Sequence, residues 1–371
     1  MPVQAGRTRS GQACPGFQQA GAFWSRRSGD AREYRVVRDG NHARASLCER
    51  YLFASRYEQA RAELSRLLED YRGIPIEDSV PGEEIDTPAG PCFRVTSTKP
   101  APRWSPEPDR VVERLSSDLV LVHGIGPVTA GRLRDRGYRS LECLAGHPVY
   151  GTDASRAASE IRNRDLVAIQ RRIERSRGAS HPHAMMTAAL MDPEDLVFFD
   201  IETLGIFSRP IILFGCGRME DGEIRVTQFL LRDVSEEEAA LCAVAREMDR
   251  PGGAVVTYNG RAFDLPYLRD RWAYYGSPGV LPVANFDLLH FSRRLLRGGL
   301  RDFRLGTLER SLFGIRRPVD VPGPMVPEFY DAYQRTGNPG PLVPVLAHNR
   351  QDVVSLVHLM AALWGVGCGG S

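Results

Sequence analysis

The sequence predicts an α/β protein built on a mixed β-sheet, and three observations support this. From residue 196 onward, short apolar runs typical of strands alternate with segments of helical spacing. The first three runs are separated by short connections, which suit antiparallel neighbours. The fourth run follows a helix, and a strand reached through a crossover helix pairs in parallel. We therefore expect three antiparallel strands, a parallel addition and flanking helices.

Local signals set the elements of this region. LVFFD is a short apolar run, and the turn Glu220-Asp221-Gly222 joins the next two runs into a hairpin. Ser235 and Glu238 have the spacing of a capping box, which predicts a helix start. Gly276 is expected to end the helix that begins at Asp264. The predicted strands are 196–200, 210–219, 223–231 and 254–259, and the predicted helices are 235–248, 264–276, 307–313 and 342–364, with a Pro/Gly loop over 318–327.

The first third of the chain shows little of this alternation. Residues 1–45 are rich in Gly, Ser, Arg and Gln, and we expect a disordered basic tail. Residues 46–118 are expected to form one amphipathic helix over 47–73, followed by a Pro-rich linker with few strands. A short strand at CFRVTS is the one candidate within that linker.

A basic segment over 119–180 precedes the sheet region. Within it, LVHGIGPVTAGRLRDRGYRSLECL resembles a helix-hairpin-helix motif. Without Cβ atoms at Gly124 and Gly126, backbone N–H groups around Ile125 can approach a phosphate, and Arg132 supplies charge nearby. An ordinary αα-hairpin, with glycines only for the turn, is the alternative. A further helix is expected over 155–176.

Composition narrows the class of protein. A net charge of +2, 42% apolar and 25% charged residues are typical of a soluble globular protein, and no apolar run approaches the ~18 residues that span a membrane. Residues 121–180 carry 11 Arg against 6 acids, and residues 285–317 carry 8 Arg against 3 acids. Solvated faces explain such runs as readily as polyanion binding. The seven cysteines show no zinc spacing, and Cys216 and Cys242 lie in apolar runs, which predicts reduced, buried thiols and a cytoplasmic protein.

Four carboxylates in the second half carry the candidate chemistry. Asp200 and Glu202 end a strand, and their spacing of two places both on one face. Asp264 begins a helix, where it could also be only an N-cap. Asp352 lies in the last helix with His348 one turn earlier, and a surface ion pair is the alternative there. Carboxylate oxygens suit Mg²⁺ or Mn²⁺, and two such ions can stabilise both the attacking and the leaving oxygen of a phosphodiester.

The segments DIET, YNGRAFD and HNRQD, in this order, resemble the DEDD-type (DnaQ-like) exonucleases of the ribonuclease H-like superfamily. The stretch LERSLFGIRRPVDVPGPMVPEFYDAYQRTGNPGPLVPVLAHNRQDVVSL is more closely similar to the YprB-type ribonuclease H-like domain family, so the resemblance covers about 192–365. It implies a ribonuclease H-like sheet and two Mg²⁺ or Mn²⁺ ions held by the four acids. It also implies 3′–5′ exonuclease activity with His348 as general base. In the His-type enzymes of this superfamily, the general base usually lies five residues before the last acid. His348 lies four residues before Asp352, which is the spacing of the Tyr-type enzymes.

Other residues are expected to support the site or contact substrate. Asn259 lies in the turn before the third acid, and Arg293 and Arg294 could meet the substrate backbone, while Asp287 could have a supporting role. With a DNA-binding hairpin, DNA is the expected partner over RNA. Two other functions stay open: a non-catalytic protein that recognises nucleic-acid structure, and a structure-selective endonuclease.

Overall fold

The structure is a computed structural model that describes residues 47–206, 208–250, 252–282, 284–317 and 321–368. The chain divides into two compact units, residues 1–59 and residues 60–371. Within the first unit, the described residues form the beginning of one helix, and the tail predicted over 1–45 lies outside the described residues. Apart from the first part of that helix, all elements discussed below belong to the second unit.

The second unit is built on a seven-stranded mixed sheet. Its strands are β1 (Gly82–Thr87), β2 (Gly90–Pro100), β3 (Leu196–Thr203), β4 (Ile211–Glu220), β5 (Glu223–Leu230), β6 (Ala254–Thr257) and β7 (Ala284–Asp287). Their order across the sheet is β1-β2-β5-β4-β3-β6-β7. The first five in this order pair antiparallel, whereas β6 and β7 add in parallel. The predicted mixed sheet is confirmed, including the antiparallel trio and the parallel strand after a helix.

Helices precede, connect and follow these strands, and some of them pack on the two faces of the sheet. They are α1 (Leu47–Asp70), α2 (Ile76–Ser79), α3 (Pro108–Ser116), α4 (Pro127–Asp135), α5 (Leu141–Leu144), α6 (Gly151–Arg162), α7 (Leu166–Arg177), α8 (Pro182–Met186), α9 (Glu237–Met248), α10 (Asp264–Tyr274), α11 (Leu288–Leu295), α12 (Leu305–Leu308), α13 (Val326–Thr336) and α14 (Leu342–Cys368). Short 3₁₀ turns cover Leu119–Leu121, Thr187–Leu190, Pro193–Asp195, Val234–Glu236 and Gly323–Met325.

The linker predicted within 74–118 is richer in strands than expected, because β1 and β2 extend the sheet over 82–100. The candidate strand at CFRVTS is confirmed as the centre of β2, whereas β1 was not predicted. Strand β2 pairs with β5 from Phe93 opposite Leu230 to Pro100 opposite Glu223. Its prolines lie near the two ends of the strand, where a missing N–H costs the ladder least. The partner of β2 lies far along the chain, so no local pattern reveals this pairing.

The helix predicted over 155–176 is two helices, α6 and α7. Arg164 between them has a φ of 52°, in the left-handed region, which interrupts the helical path. Asp165 then caps α7 by accepting a hydrogen bond from Ala168 N at 3.0 Å. Strand β7, which the sequence pattern does not predict, has only four residues, too few for a period-two signal.

The capping box predicted between Ser235 and Glu238 is wrong. Asp233 is the capping residue, because its Oδ1 accepts hydrogen bonds from Ser235 N at 2.8 Å and from the Ser235 hydroxyl at 2.6 Å. A 3₁₀ turn follows, and α9 begins only at Glu237. A charged carboxylate accepts such hydrogen bonds more strongly than a hydroxyl, which explains the preference.

The short helix predicted over 307–313 is helical but irregular. Helix α12 continues into a π-helical turn, Glu309–Phe313, and Gly314 ends it with a φ of 66°. Such turns are rare and occur frequently at functional sites. In the predicted loop over 318–327, residues 318–320 lie outside the described residues, and Val326 already begins α13.

Apolar side chains cover both faces of the sheet. Phe198 of β3 packs in one apolar cluster with Val353 of α14, whereas Phe199 packs in a second cluster with Leu241 of α9 and Leu265 of α10. Successive strand residues point to opposite faces, so both faces of β3 are buried. The carboxyl end of β3 is thereby held between α10 and α14.

The cysteines differ in burial, and only one of the two thiols predicted to be buried is fully so. Cys216 is buried as predicted, whereas Cys242 is half-buried and Cys143 is exposed. Burial raises the pKa of the Cys216 thiol well above its ordinary value. Within the described ranges, no helix is long and apolar enough to cross a membrane.

Candidate functional site

The end of β3 and the start of α10 bring three of the predicted acids together. Asp200 and Glu202 lie two residues apart in β3, and Glu202 is only 7% exposed. Asp264 is the first residue of α10 and is 5% exposed. Its Oδ1 accepts a hydrogen bond from Ile201 N at 3.3 Å, between the two strand acids. Phe263 holds the N-cap position, so Asp264 is not merely the cap of its helix.

Helix α14 brings the fourth acid and the histidine to the same place. His348 and Asp352 lie one turn apart on a shared helix face. The Nε2 atom of His348 is 3.5 Å from Asp352 Oδ2 and 3.7 Å from Glu202 Oε1. Their side chains are only 15% and 16% exposed, so the alternative of a surface ion pair is wrong.

Burial and mutual repulsion raise the pKa values of three of these acids. Burial first, and then the charges of Asp352, Asp264 and Glu202, raise the pKa of Asp200. Burial also raises the pKa of Glu202 to about 7, although His348 opposes the shift. The pKa of Asp264 is likewise raised to about 7 by burial, against its backbone hydrogen bonds. Acids from three separate segments of the chain therefore act on one another.

Arg317 contributes a positive charge to this cluster, and sequence reasoning missed it. Its guanidinium donates a hydrogen bond to Asp352 Oδ1 and binds Glu309 through two nitrogens, at 2.9 and 2.6 Å. Glu309, from the π-helical turn, is 1% exposed and accepts a 2.5 Å hydrogen bond from the Ser355 hydroxyl. Burial acts to lower the pKa of Arg317, but the two carboxylates outweigh it and raise that pKa. Glu309 and Arg317 both lie in the stretch that carries the YprB-type resemblance, but the sequence assigns them no role because their partner on α14 is known only from the fold.

Asn349 was also missed, although it lies inside the HNRQD segment. Its Nδ2 donates to Asp200 Oδ2 at 2.9 Å and to the Asp200 carbonyl at 3.2 Å. Its Oδ1 accepts from Gln228 Nε2 at 2.8 Å, and the residue is fully buried. A Cβ added at Gly215 of β4 would clash with this Oδ1 and lie 2.8 Å from Val353 Cγ2. The glycine thus allows α14 to approach the sheet closely enough for Asn349 to orient Asp200.

The hydrogen bonds of His348 fix which ring nitrogen carries the proton. Arg317 Nη1 lies 3.1 Å from His348 Nδ1, and a guanidinium can only donate. Nδ1 is therefore the acceptor, and in the neutral ring Nε2 carries the hydrogen that faces Glu202 and Asp352. In this arrangement Nε2 cannot accept a proton from water. Acting as a base requires the other tautomer and loss of the contact with Arg317.

The ligand atoms that the cluster offers, carboxylate oxygens, are of the type that binds a hard divalent cation. Buried carboxylate oxygens that repel one another are the ligands that Mg²⁺ and Mn²⁺ prefer. Within the part of the chain that the structure describes, however, no group of three or more His, Cys, Asp or Glu is arranged to hold a metal ion. Arg317 engages Asp352 Oδ1, and Asn349 engages Asp200 Oδ2. Metal binding at these residues would need deprotonation of the acids and rearrangement of their side chains.

Asp287 shapes the loop that leads to α10, and its charge contributes to the raised pKa of Asp264. Its Oδ1 accepts from Asn259 N at 2.8 Å and from Leu289 N at 3.2 Å, and its Oδ2 accepts from Arg261 N at 3.2 Å. Asp287 is 3% exposed, whereas Asn259 is exposed with a left-handed φ of 64°. The predicted supporting role of Asp287 is therefore that of a loop anchor, which presents Asn259 to solvent.

The glycine turn lies apart from the acids, on a cavity of about 920 Å³. Gly124, Ile125 and Gly126 all line it, and α4 begins directly afterwards at Pro127. Gly124 has a φ of 82°, a conformation that favours glycine. Gly126 has a φ of −88°, which any residue can adopt. Ile125 is 4% exposed and packs in the apolar core, so only its backbone could meet a ligand.

The arginines predicted to contact substrate separate into two groups. Arg294 of α11 lines the same cavity as the glycine turn. Arg132 and Arg293 are exposed but do not line it. The cavity thus joins the turn to one arginine of the sheet region.

Comparison with known proteins places the sheet region in a family. Residues 197–364 match a family model described as RNase_H superfamily. The chain is 35% identical over 187 residues to the uncharacterized protein YprB of Bacillus subtilis (strain 168), a match that covers 49% of this chain and 44% of YprB. The chain thus spans less than half the length of this relative.

The family match and the fold agree. The matched residues contain strands β4 to β7, most of β3 and all four acids of the cluster. The superfamily includes hydrolytic nucleases, which suggests an activity related to nucleic acid. The chain contains a ribonuclease H-like domain of the YprB type.

Proposed function

We propose that this protein is a divalent-metal-dependent nuclease, acting as a 3′–5′ exonuclease, whose active site is the carboxylate cluster. The observation that carries the proposal is the convergence of four acids from β3, α10 and α14, three of which have raised pKa values. Burying several carboxylates together is costly unless cations compensate them. Arg317 and His348 compensate only part of that charge.

In the proposed site, Asp200, Glu202, Asp264 and Asp352 would hold two Mg²⁺ or Mn²⁺ ions. When bound, such ions lower the pKa of water and stabilise charge on phosphodiester oxygens. Asn349 would keep the Asp200 carboxylate oriented through its 2.9 Å hydrogen bond. This second layer of contacts tunes ligand orientation in metal sites.

His348 is the proposed proton acceptor. It lies beside both Glu202 and Asp352, which places its imidazole next to the proposed metal-binding acids. To accept a proton at Nε2, the ring would carry its hydrogen on Nδ1, so Arg317 Nη1 would have to move away. We therefore expect base catalysis only in a rearranged site.

The expected substrate is DNA, read through its backbone rather than its bases. Carboxylate-held metals would contact phosphate oxygens, which carry no sequence information. The glycine turn over 124–126 offers backbone N–H groups to a phosphate at the start of α4. A nuclease with little sequence preference follows from both features.

The test is cleavage of end-labelled single-stranded DNA and RNA by the full chain with Mn²⁺, against EDTA. Asp200→Asn and Asp264→Asn should each lose on the order of 1,000-fold in rate, because several kcal/mol of transition-state stabilisation would be removed. Asp249→Asn is the matched control, since Asp249 is an exposed acid after α9. Cleavage that is equally fast in all four proteins would disprove the assignment of the site.

Substrate form separates the alternatives. An exonuclease releases mononucleotides from the labelled strand and leaves circular DNA intact, whereas an endonuclease cuts the circle. Tight binding of both substrates without any metal-dependent cleavage would instead favour the non-catalytic alternative.

A further inference from the structure

A second chemical feature lies outside the acid cluster, in the cavity of about 920 Å³ at the glycine turn. One wall is the turn over 122–127, and the others come from α6, α7 and Arg294 of α11. Two carboxylates, Asp153 and Glu160, contribute to the lining. Six arginines also line it, namely Arg156, Arg171, Arg172, Arg175, Arg177 and Arg294. The lining therefore has a clear excess of positive charge.

Two of these arginines have a structural role. Arg172 is 13% exposed in its side chain, and it binds Asp153 at 2.9 Å and Glu160 at 2.8 Å. Arg177 binds Asp118 through two nitrogens, both at 2.6 Å. Arg172 thus offsets part of the charge of the two lining carboxylates, and both arginines fix α7 against neighbouring segments.

The other four arginines are exposed and form no ion pair among the described residues. Arg156, Arg171, Arg175 and Arg294 are all exposed. Among the described residues, no hydrogen bond or ion pair links any of them to a protein acceptor. Their charges therefore face the solvent of the cavity, while the paired Arg172 and Arg177 hold the wall in place. A fixed wall with a net excess of positive charge is suited to a polyanion.

We propose that this cavity binds the phosphate backbone of a nucleic-acid strand and leads it toward the carboxylate cluster. The binding step stands on the cavity itself, whereas the leading step rests on the proposed nuclease function. Arg171 and Arg175 would each contact a phosphate from one face of α7, since residues four apart lie one above the other. The glycine turn and Arg294 would contact the strand from the opposite walls.

The proposed path of the nucleic-acid strand toward the acid cluster is based on a second cavity. Arg171 also lines a cavity of about 320 Å³, together with Arg261, Arg269 and Leu265. Leu265 directly follows Asp264, one of the four acids. Arg171 is thus shared between the cavity at the glycine turn and one that reaches the start of α10. A strand that passes Arg171 would approach the acid cluster along this basic wall.

The arrangement favours a strand over a small phosphate compound. Exposed arginines on α6, α7 and α11 line the cavity. Beyond it, Arg261 and Arg269 line the second cavity, where Glu174 pairs with Arg261 at 3.5 Å and leaves Arg269 with Arg171 as the excess of positive charge. A single phosphate could neutralise only part of this charge. A backbone offers a charge at each nucleotide, and each contact releases counterions from the strand.

The test measures binding without cleavage. Fluorescence anisotropy of a labelled single-stranded DNA oligonucleotide is recorded in EDTA across a salt series, with Asp200→Asn as the parent protein. Arg171→Glu with Arg175→Glu forms the first test variant, and Arg156→Glu with Arg294→Glu forms the second. Arg246→Glu with Arg335→Glu makes the same change of charge on exposed arginines of α9 and α13, away from both cavities, and serves as the control.

We expect each test variant to bind at least about tenfold more weakly at low salt, with a log–log salt slope flatter by about 1.5, because two phosphate contacts are lost. The control should bind like its parent. Unchanged binding in both test variants would overturn the proposal, and so would equal weakening in the control. A mononucleotide that competes as well as the oligonucleotide would show a small-ligand site instead, which also overturns it.

Failure of the cavity proposal can be distinguished from failure of the proposed nuclease function. Binding in EDTA needs no chemistry, so it can be lost or retained independently of metal-dependent cleavage. If the wild type cleaves DNA and the test variants bind normally, only the cavity proposal fails. If the test variants bind weakly and no protein cleaves, the nuclease proposal fails together with the leading step that rests on it, and the binding step stands.

Discussion

Arg317 donates a hydrogen bond to Asp352, so one of the four acids in the cluster is already paired with a cation from the protein itself. The same guanidinium binds the buried Glu309 and contacts His348 Nδ1. Arg317 therefore links the π-helical turn to α14 at the point where a metal ion is proposed to bind. A protein cation and a metal cation would compete for Asp352.

Replacing Arg317 should expose this competition. Arg317→Gln leaves Glu309 and Asp352 without their cation, and breaking a buried pair costs about 3–5 kcal/mol. We expect a lower Tm in EDTA and a larger rise in Tm on adding Mn²⁺ than the wild type shows. Differential scanning fluorimetry with and without MnCl₂ measures both values.

A matched variant controls for loss of an ion pair alone. Arg271→Gln breaks another buried pair, with Glu237, outside the acid cluster. It should lower the Tm without enlarging the Mn²⁺ response. If both variants respond to Mn²⁺ like the wild type, Arg317 does not compete with the metal.

Gly215 should be sensitive to a single added methyl group. In Gly215→Ala, the new Cβ would meet Asn349 Oδ1 and Val353 Cγ2, so α14 must shift away from β4. We expect a loss of about 1–3 kcal/mol in stability from overpacking. Displacement of Asn349 and Asp352 should also lower cleavage on the order of 100-fold.

Gly365→Ala provides the control for this change, because Gly365 lies in α14 and a Cβ there meets nothing within 4 Å. Its stability and cleavage rate should match those of the wild type or exceed them slightly, as alanine favours the helix. Equal rates for Gly215→Ala and the wild type would show that the close approach of α14 to β4 is not needed for cleavage.

The raised pKa values predict an unusual pH dependence of the metal-free protein. The pKa values of Glu202 and Asp264 are raised from 4.5 and 3.8 to about 7, so the folded state binds more protons than the unfolded state in that window. Stability in EDTA should therefore be greatest below the unfolded values and fall as the pH rises through about 7. Thermal unfolding in EDTA between about pH 5 and pH 8 tests this.

Mn²⁺ should reverse the trend, because metal binding needs deprotonated carboxylates. The rise in Tm on adding Mn²⁺ should grow with pH through the same range. Asp264→Asn should flatten the pH dependence in EDTA, since the amide does not titrate. A Tm in EDTA that rises from about pH 5 to pH 8 in both proteins would contradict the raised pKa values.

Local patterns predicted much of the sheet region. The apolar run of β3, the turn between β4 and β5 and the helix before β6 each depend on residues close in sequence, and all are confirmed. The spacing of Asp200 and Glu202 also predicted that both lie on one face. Strand β1 was missed and β2 was predicted only over CFRVTS, because the partner of β2, strand β5, is remote in sequence. The start of α9 was misplaced because Asp233 competes with Ser235 for the cap.

The sequence by itself determined the central strands and helices of the sheet region, the resemblance to ribonuclease H-like domains and the identity of four acids with a neighbouring histidine. Only the tertiary structure decided what surrounds those acids. Glu309 reaches the cluster from a π-helical turn, Arg317 from the loop after it, and Asn349 from a buried helix face. The reason is physical: periodicity and turn chemistry act over a few residues, whereas burial, repulsion between carboxylates and pairing with Arg317 depend on packing between distant segments.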